Sequence, residues 1–194
     1  MKLKRLFSSS FAKGTENYLN TQKKYEILRT ILYFSVSASL FIAGYLQTKT
    51  KVNLLTVVAV LGCLPASKSL VSAIMFFRYK SCDRETVEEI LPHTKDLVSG
   101  FDFVFTAKEA VYVIPHLAVR GKSICAYAGE GEFAEAAFLQ HLKEHLALDG
   151  EKDVSVKVFH KLSTYVNRLD QMGTTAEDRE QSERILATMK SITL

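Results

Sequence analysis

His141-Leu142-Lys143-Glu144-His145 places two imidazoles one helical turn apart, with a carboxylate between them. Two His at that spacing can share a divalent metal, and the Glu could act as a general base toward water. His145 also borders a run of apolar residues at helical spacing, where an imidazole often just packs. Gly129-Glu130-Gly131-Glu132-Phe133-Ala134 joins a β-rich run to the same helix. Glycines so placed let backbone amides approach a pyrophosphate at a helix N-terminus. Glu130, Glu132 and Glu135 crowd that spot; they favour the helix dipole but repel phosphate, so a plain strand-to-helix turn is the stronger account. Cys125 sits within an apolar strand and is expected in the core. Cys82 lies beside Lys80 and Arg84, where acylation or oxidation is conceivable, although a plain juxtamembrane thiol is the simpler expectation. With no G-x-S-x-G elbow, Walker loop or paired-cysteine zinc pattern in the sequence, no cofactor is expected.

Two of these patterns resemble known families. The H-x-x-E-H string resembles the inverted zinc-peptidase motif, which needs a further distant acidic ligand; 49 residues follow His145. A wider resemblance covers residues 101–159. Phe101-Asp102-Phe103-Val104-Phe105-Thr106, then Val111-Tyr112-Val113-Ile114, then Gly121, a strand, a helix and residues 154–159 resemble the nuclease-related NERD domain. That family belongs to the restriction-endonuclease-like fold and pairs an Asp at a strand start with an E-x-K on the next strand, to hold a divalent metal. Asp102 matches the first position. The second motif falls on Pro115-His116-Leu117, so its Glu and Lys are absent, and the fold's first strand is not evident before Asp102. The resemblance therefore implies a noncatalytic descendant, because one carboxylate cannot fix the metal and activate water.

The elements that must position these residues read as a small α/β domain over 79–194. Asp83 is placed to cap a helix whose Val87, Ile90, Leu91 and Leu97 face inward, with Pro92 disturbing its middle. Residues 101–106 and 110–115 are β-rich runs around Ala107-Lys108-Glu109, a hairpin. Residues 123–128 form a third strand after the Arg120-Gly121-Lys122 turn. Residues 133–148 form a helix with Phe138, Leu139, Leu142 and Leu146 on one stripe, ended by Asp149-Gly150. Residues 154–159 are a fourth strand, and Leu162, Tyr165, Val166, Leu169 and Met172 space a further helix. Thr174-Thr175-Ala176-Glu177 is a capping-box signature for a last helix with Ile185, Leu186 and Met189 inward. The order is α-β-β-β-α-β-α-α.

Ahead of that domain the composition changes. Residues 1–78 carry 11 Lys/Arg against 2 acids, whereas residues 79–194 carry 14 against 19. Thr30 to Thr48 holds no charge, and at about 1.5 Å per residue a helix of that length approaches the roughly 30 Å hydrocarbon core of a bilayer. Tyr33 and Tyr45 stand near its ends, where amphipathic rings prefer the interface. A second apolar stretch, 54–77, contains Pro65 and Lys68 and ends before Arg78. Pro65 should bend that helix. Lys68 admits two accounts: it lies near the cytoplasmic boundary with 70–77 continuing as an interfacial helix, which is favoured, or it faces a partner or polar cavity inside the membrane. Seven basic residues precede the first span, and Lys68, Arg78 and Lys80 follow or end the second, against Lys49 and Lys51 in the connection. The positive-inside rule then puts both termini in the cytoplasm. A signal peptide is not expected, because the apolar run starts late and lacks a cleavage site after it. Leu3, Leu6, Phe7 and Phe11 with Lys2, Lys4, Arg5 and Lys13 have the spacing of a basic amphipathic helix on anionic lipid, or of a frayed tail.

These observations divide the chain into a basic N-terminal segment, 1–29, helical toward its end; a transmembrane hairpin, 30–78; and a cytoplasmic α/β domain, 79–194. With 47% hydrophobic and 24% charged residues, the chain as a whole is not disordered. Three cysteines exclude a disulfide-stapled miniprotein, and the cytoplasmic assignment makes Cys82 and Cys125 thiols. The acidic domain lacks the basic stripe of a nucleic-acid binder. The expected protein is a multi-pass plasma-membrane protein whose partners are the lipid bilayer and a protein bound, or a second copy associated, through the spans. Ser35, Ser37, Ser39, Gly44, Gly62, Ser67 and Lys68 are the positions suited to helix packing. Its expected role is noncatalytic binding or scaffolding in a membrane complex. The alternatives are a membrane-face enzyme, metal-dependent or nucleotide-using, centred on His141, Glu144 and His145 or on Gly129 and Gly131, and an oligomeric transporter or channel around Lys68.

Overall fold

A computed structural model describes residues 13–50, 52–107, 110–151, 153–173 and 179–194. The expectations for residues 1–12, for the Lys108-Glu109 hairpin tip and for the Thr174-Glu177 capping box lie outside the described residues. Six α-helices and one four-stranded sheet make up a mixed α/β chain among the described residues. They divide into two compact units, residues 19–80 and residues 13–18 with 81–194.

In the first unit, α1 (Tyr18–Thr48) and α2 (Leu54–Phe77) are joined by a short turn. α1 runs unbroken from the basic segment into the apolar run, and both helices are long and apolar enough to cross a membrane. Asn53 organises the turn. Its Oδ1 accepts from the Thr56 amide at 2.8 Å, capping α2, while its Nδ2 donates to Thr48 Oγ1 at 3.0 Å. Pro65 lies inside α2, which remains helical through it.

The packing of these two helices is inverted relative to a water-soluble pair. The buried residues of α2 are Ala59, Ala66, Ser69, Ala73 and Phe76, and those of α1 between Thr30 and Thr48 are Thr30, Ser37 and Gly44. Both sets recur at three-, four- or seven-residue steps, the spacing of one helix face. The exposed set is the large apolar one, including Ile31, Phe34, Val36, Ile42 and Leu46 on α1 and Val57, Val60, Leu61, Leu64 and Val71 on α2. The helices touch along the small residues. A Cβ added to Gly62 would lie 2.6 Å from Ser37 Oγ, and one added to Gly44 would lie 2.8 Å from Leu55 Cβ. Thr30 Oγ1 and Ser69 Oγ are hydrogen-bonded at 3.0 Å. Ser35, Ser39 and Ser67, all exposed, instead donate to carbonyls of their own helices, Leu32, Ser35 and Cys63.

The second unit is a sheet between two helical layers. Its elements are α3 (Arg84–Ile90), a 3₁₀ turn (Leu91–His93), β1 (Val98–Thr106), β2 (Val111–Arg120), β3 (Ser123–Tyr127), α4 (Glu135–Leu148), β4 (Ser155–Phe159), α5 (Leu162–Gly173) and α6 (Arg179–Ser191). Strand order is β1-β2-β3-β4, antiparallel except for the parallel β3–β4 pair, which α4 connects. Phe138, Leu142 and Leu146 of α4 and Ile185, Leu186 and Met189 of α6 pack with Phe103, Phe105, Tyr112 and Ile114. On the other face Val87 and Ile90 of α3 and Tyr165, Val166, Leu169 and Met172 of α5 cover Phe101, Ala118 and Cys125. The Gly14 carbonyl accepts from the Phe101 amide at 3.0 Å, and Thr193 bridges Phe105, so the outer edge of β1 is partly covered.

Several local expectations need correction. β1 starts before residue 101 and β2 does not stop at Pro115 but runs to Arg120. Asp83 occupies the N-cap of α3, yet its side chain makes no capping hydrogen bond. Leu91 is exposed because Pro92 turns the chain into the 3₁₀ segment before another α-turn can bury it. Leu139 is half-buried, off the stripe of Phe138, Leu142 and Leu146.

Candidate functional site

Asp102 stands where β1 and β2 both change face. Phe101 pairs with His116 and Phe103 with Ile114, so Asp102 faces Pro115 across the pair. Asp102 has φ 60°, in the left-handed region that Asp tolerates better than most residues. That single residue breaks the period-two alternation: Phe101 points to the α3–α5 side and Phe103 to the α4–α6 side. The partner strand switches in step, with Ile114 on one side and Ala118 on the other. Asp102 is buried, and its Oδ1 accepts from the Cys82 amide at 2.7 Å, tying the chain ahead of α3 to the sheet. Where a metal-dependent nuclease would need a second carboxylate, Pro115 offers none.

Beside this switch, His116 is fully buried. Its Nδ1 lies 2.6 Å from Tyr165 Oη, its ring is 4.3 Å from Phe101, and its Nε2 has no protein hydrogen-bond partner. Burial pushes the His116 pKa down to about 3, so it is a neutral imidazole at physiological pH. Burial likewise raises Tyr165 well above the usual phenol range. Cys82 and Cys125 are free thiols packed in the same cluster. Burial first, then the charges of Asp102 and Asp83, push the Cys82 thiol up to about 12. Such a thiol is protonated and a poor nucleophile.

On α4, His141 and His145 are half-buried and Glu144 is exposed. With Thr106, Tyr112, Ala134, Ala137 and Gln140 they line an open groove of about 720 Å³. The two imidazoles meet edge to face, ring centroids 4.7 Å apart, and Gln140 Nε2 donates to Glu144 Oε1 at 2.9 Å. Burial, then the neighbouring His145, lowers the His141 pKa. Among the described residues no three His, Cys, Asp or Glu side chains gather as a metal site would require. Gly129 and Gly131 both have positive φ, 74° and 152°, and the Gly129 carbonyl lies 3.0 Å from His160 Nδ1. α4 begins at Glu135, beyond these glycines, so they shape a turn several residues ahead of the helix.

Lys68 and Pro65 on α2, and Arg78 just after it, are all exposed. The Thr30–Ser69 contact sets Lys68 level with Ile31, two residues past Arg29, the last charge before the apolar run of α1. Of the positions suited by residue type to helix packing, Ser37 and Gly44 are buried and Gly62 is half-buried, whereas Ser35, Ser39, Ser67 and Lys68 are exposed. The seam also takes in Thr30, Ala59, Ala66, Ser69 and Ala73. The seven-residue recurrence Thr30-Ser37-Gly44 is the signal that could have found the seam. His116 and Tyr165, distant in sequence, left no pattern. No protein-family model matches the chain, and searches of curated proteins and of solved structures find no similar protein.

Proposed function

We propose that α1 and α2 form a transmembrane hairpin that holds the α/β unit on the cytoplasmic face of the plasma membrane, as a noncatalytic binding or scaffolding subunit of a membrane complex. The observation that carries this reading is the inverted packing: small residues inside, large apolar ones outside. In water that arrangement exposes what it should bury; in lipid tails there is no such cost, and helices associate through small residues and hydrogen bonds. Exposed hydroxyls satisfied by their own helices also suit a lipid-facing surface. The orientation rests on charge. Lys23, Lys24, Arg29, Lys68, Arg78 and Lys80 gather toward one end of the helices, and Lys49 lies at the other.

A noncatalytic role draws support from how the candidate residues are spent. Asp102 holds a backbone amide, His116 is sealed in the core, and Glu144 is tied to Gln140. The resemblance to the NERD domain, whose E-x-K falls here on Pro115-His116-Leu117, implies a noncatalytic descent and supports the same reading. A domain confined to the membrane face gains effective concentration toward other membrane proteins.

Thiol labelling tests the topology. In a chain with its native cysteines replaced, Thr50→Cys should react with an impermeant maleimide on intact cells, and Glu183→Cys only after permeabilisation. The opposite pattern, or release of the chain from membranes by alkaline carbonate, overturns the reading.

A further inference from the structure

The Thr30–Ser69 hydrogen bond divides the hairpin into two depths. Toward the turn, residues 30–48 lie beside residues 54–69 and carry Lys68 and Lys49 at their limits. Away from the turn, residues 23–29 lie beside residues 70–77, and here charge and apolar surface are mixed. Lys23 Nζ sits 5.4 Å above the Phe77 ring and donates to the Tyr79 carbonyl, which confirms the register at this end. Leu70, Val71, Ile74 and Phe77 are exposed in this lower stretch, with exposed Lys24 on it, exposed Lys68 at its upper limit and exposed Arg78 and Lys80 just beyond its end. The acid in the stretch, Glu26, is buried and ion-paired to Arg29 at 2.8 Å, and among the described residues none of the four outer cations forms an ion pair.

We infer that this base of the hairpin is a binding surface for anionic phospholipid headgroups, with Lys24, Lys68, Arg78 and Lys80 meeting phosphate and Leu70, Val71, Ile74 and Phe77 entering the glycerol and upper acyl layer. The inference rests on the membrane-spanning reading above and adds the class of lipid. Water would leave the apolar residues uncovered. A zwitterionic headgroup would leave four cations without net compensation. An anionic interface satisfies both, because basic residues snorkel to phosphate while their neighbours reach the acyl boundary. Each basic residue near an anionic surface contributes about 1 kcal/mol, equivalent to about a five-fold preference.

The full chain is reconstituted in nanodiscs of phosphatidylcholine alone and of an equal mixture with phosphatidylglycerol, and retained lipid is measured by mass spectrometry. Wild type should retain phosphatidylglycerol well above its share and melt at higher temperature in the mixture. The Lys24→Gln, Lys68→Gln, Arg78→Gln and Lys80→Gln combination should retain both lipids in proportion, while staying resistant to carbonate extraction. Inorganic phosphate added in neutral detergent should not reproduce the thermal gain; a gain from phosphate alone would mark a free-phosphate site and overturn the lipid assignment. Equal retention of both lipids by a carbonate-resistant wild type, or an unchanged preference in the variant, overturns the inference and leaves the hairpin reading intact. Extraction of wild type by carbonate overturns both.

Discussion

Thr30 Oγ1 and Ser69 Oγ are hydrogen-bonded at 3.0 Å across the two long helices, and this contact fixes which residues of the hairpin share a level. Thr30 Oγ1 donates its one proton to the Glu26 carbonyl at 2.8 Å, which leaves the Ser69 hydroxyl as the donor in the bond between the helices. Interhelical hydrogen bonds of this kind contribute about 0.6 kcal/mol on average and up to about 1.7. A double-mutant cycle of Thr30→Ala and Ser69→Ala, read by unfolding in detergent, should return a coupling in that range. A coupling of zero would leave the register to the small residues alone.

Gly62 packs tightly against α1. Its added Cβ would fall 2.6 Å from Ser37 Oγ, and the larger Gly62→Leu should displace Ser37 and crowd the seam. Overpacking of this kind costs about 1–3 kcal/mol. The neighbouring Leu61→Ala, on the exposed face, should change the unfolding midpoint little. Equal effects of the two would contradict the inverted packing.

Asp102 makes two separable contributions, a left-handed backbone and an acceptor for the Cys82 amide. Asp102→Asn keeps both and should fold with near-native stability. Asp102→Ala loses the acceptor, at about 1–3 kcal/mol, and strains the backbone by about 1 more. Denaturant titration of the two variants distinguishes this from a charge-dependent role, in which Asn would be as damaging as Ala.

What was legible in the sequence follows from what periodicity can carry. The helix stripes Phe138-Leu142-Leu146 and Tyr165-Val166-Leu169-Met172 repeat at helical spacing, and both helices formed where they were expected. Strand limits were not legible around Asp102 and Pro115, because the switch of faces there interrupts the alternation that marks a strand. Pro115 read as a strand end, although its lost donor is tolerated at a point where pairing to β3 has not begun. The two long apolar runs were plain from composition, whereas the seam between them was not, since Ala, Ser, Thr and Gly carry little hydropathy signal. The His116–Tyr165 pair joins residues from β2 and α5, and only the packed sheet brings them together.

Cys82 should resist modification. With its pKa near 12, the thiolate fraction at pH 8 is about one in ten thousand, far below that of an ordinary cysteine. In a chain carrying Cys63→Ala and Cys125→Ala, maleimide should label Cys82 slowly until denaturant is added. Removing the Asp102 charge, as in Asp102→Asn, should speed labelling because one of the groups that raise the pKa is gone. Rapid labelling of the folded wild-type thiol would revive a redox or acylation role.

His116 sets a pH limit on the α/β unit. Its folded pKa is near 3, against 6.5 for an unperturbed imidazole, so the unfolded chain binds this proton more readily than the folded one. Above pH 6.5 both forms are neutral and His116 adds no pH dependence. Between pH 6.5 and 3 the folded state loses stability as pH falls, by up to about 1.4 kcal/mol per pH unit. His116→Leu should flatten that slope, although it starts less stable, because the Tyr165 hydroxyl loses its 2.6 Å partner. Unfolding midpoints of both proteins at pH 7.5 and pH 5, each buffered at equal ionic strength, give the comparison. If the wild type and His116→Leu lose the same stability over that interval, the buried imidazole is not the group that titrates.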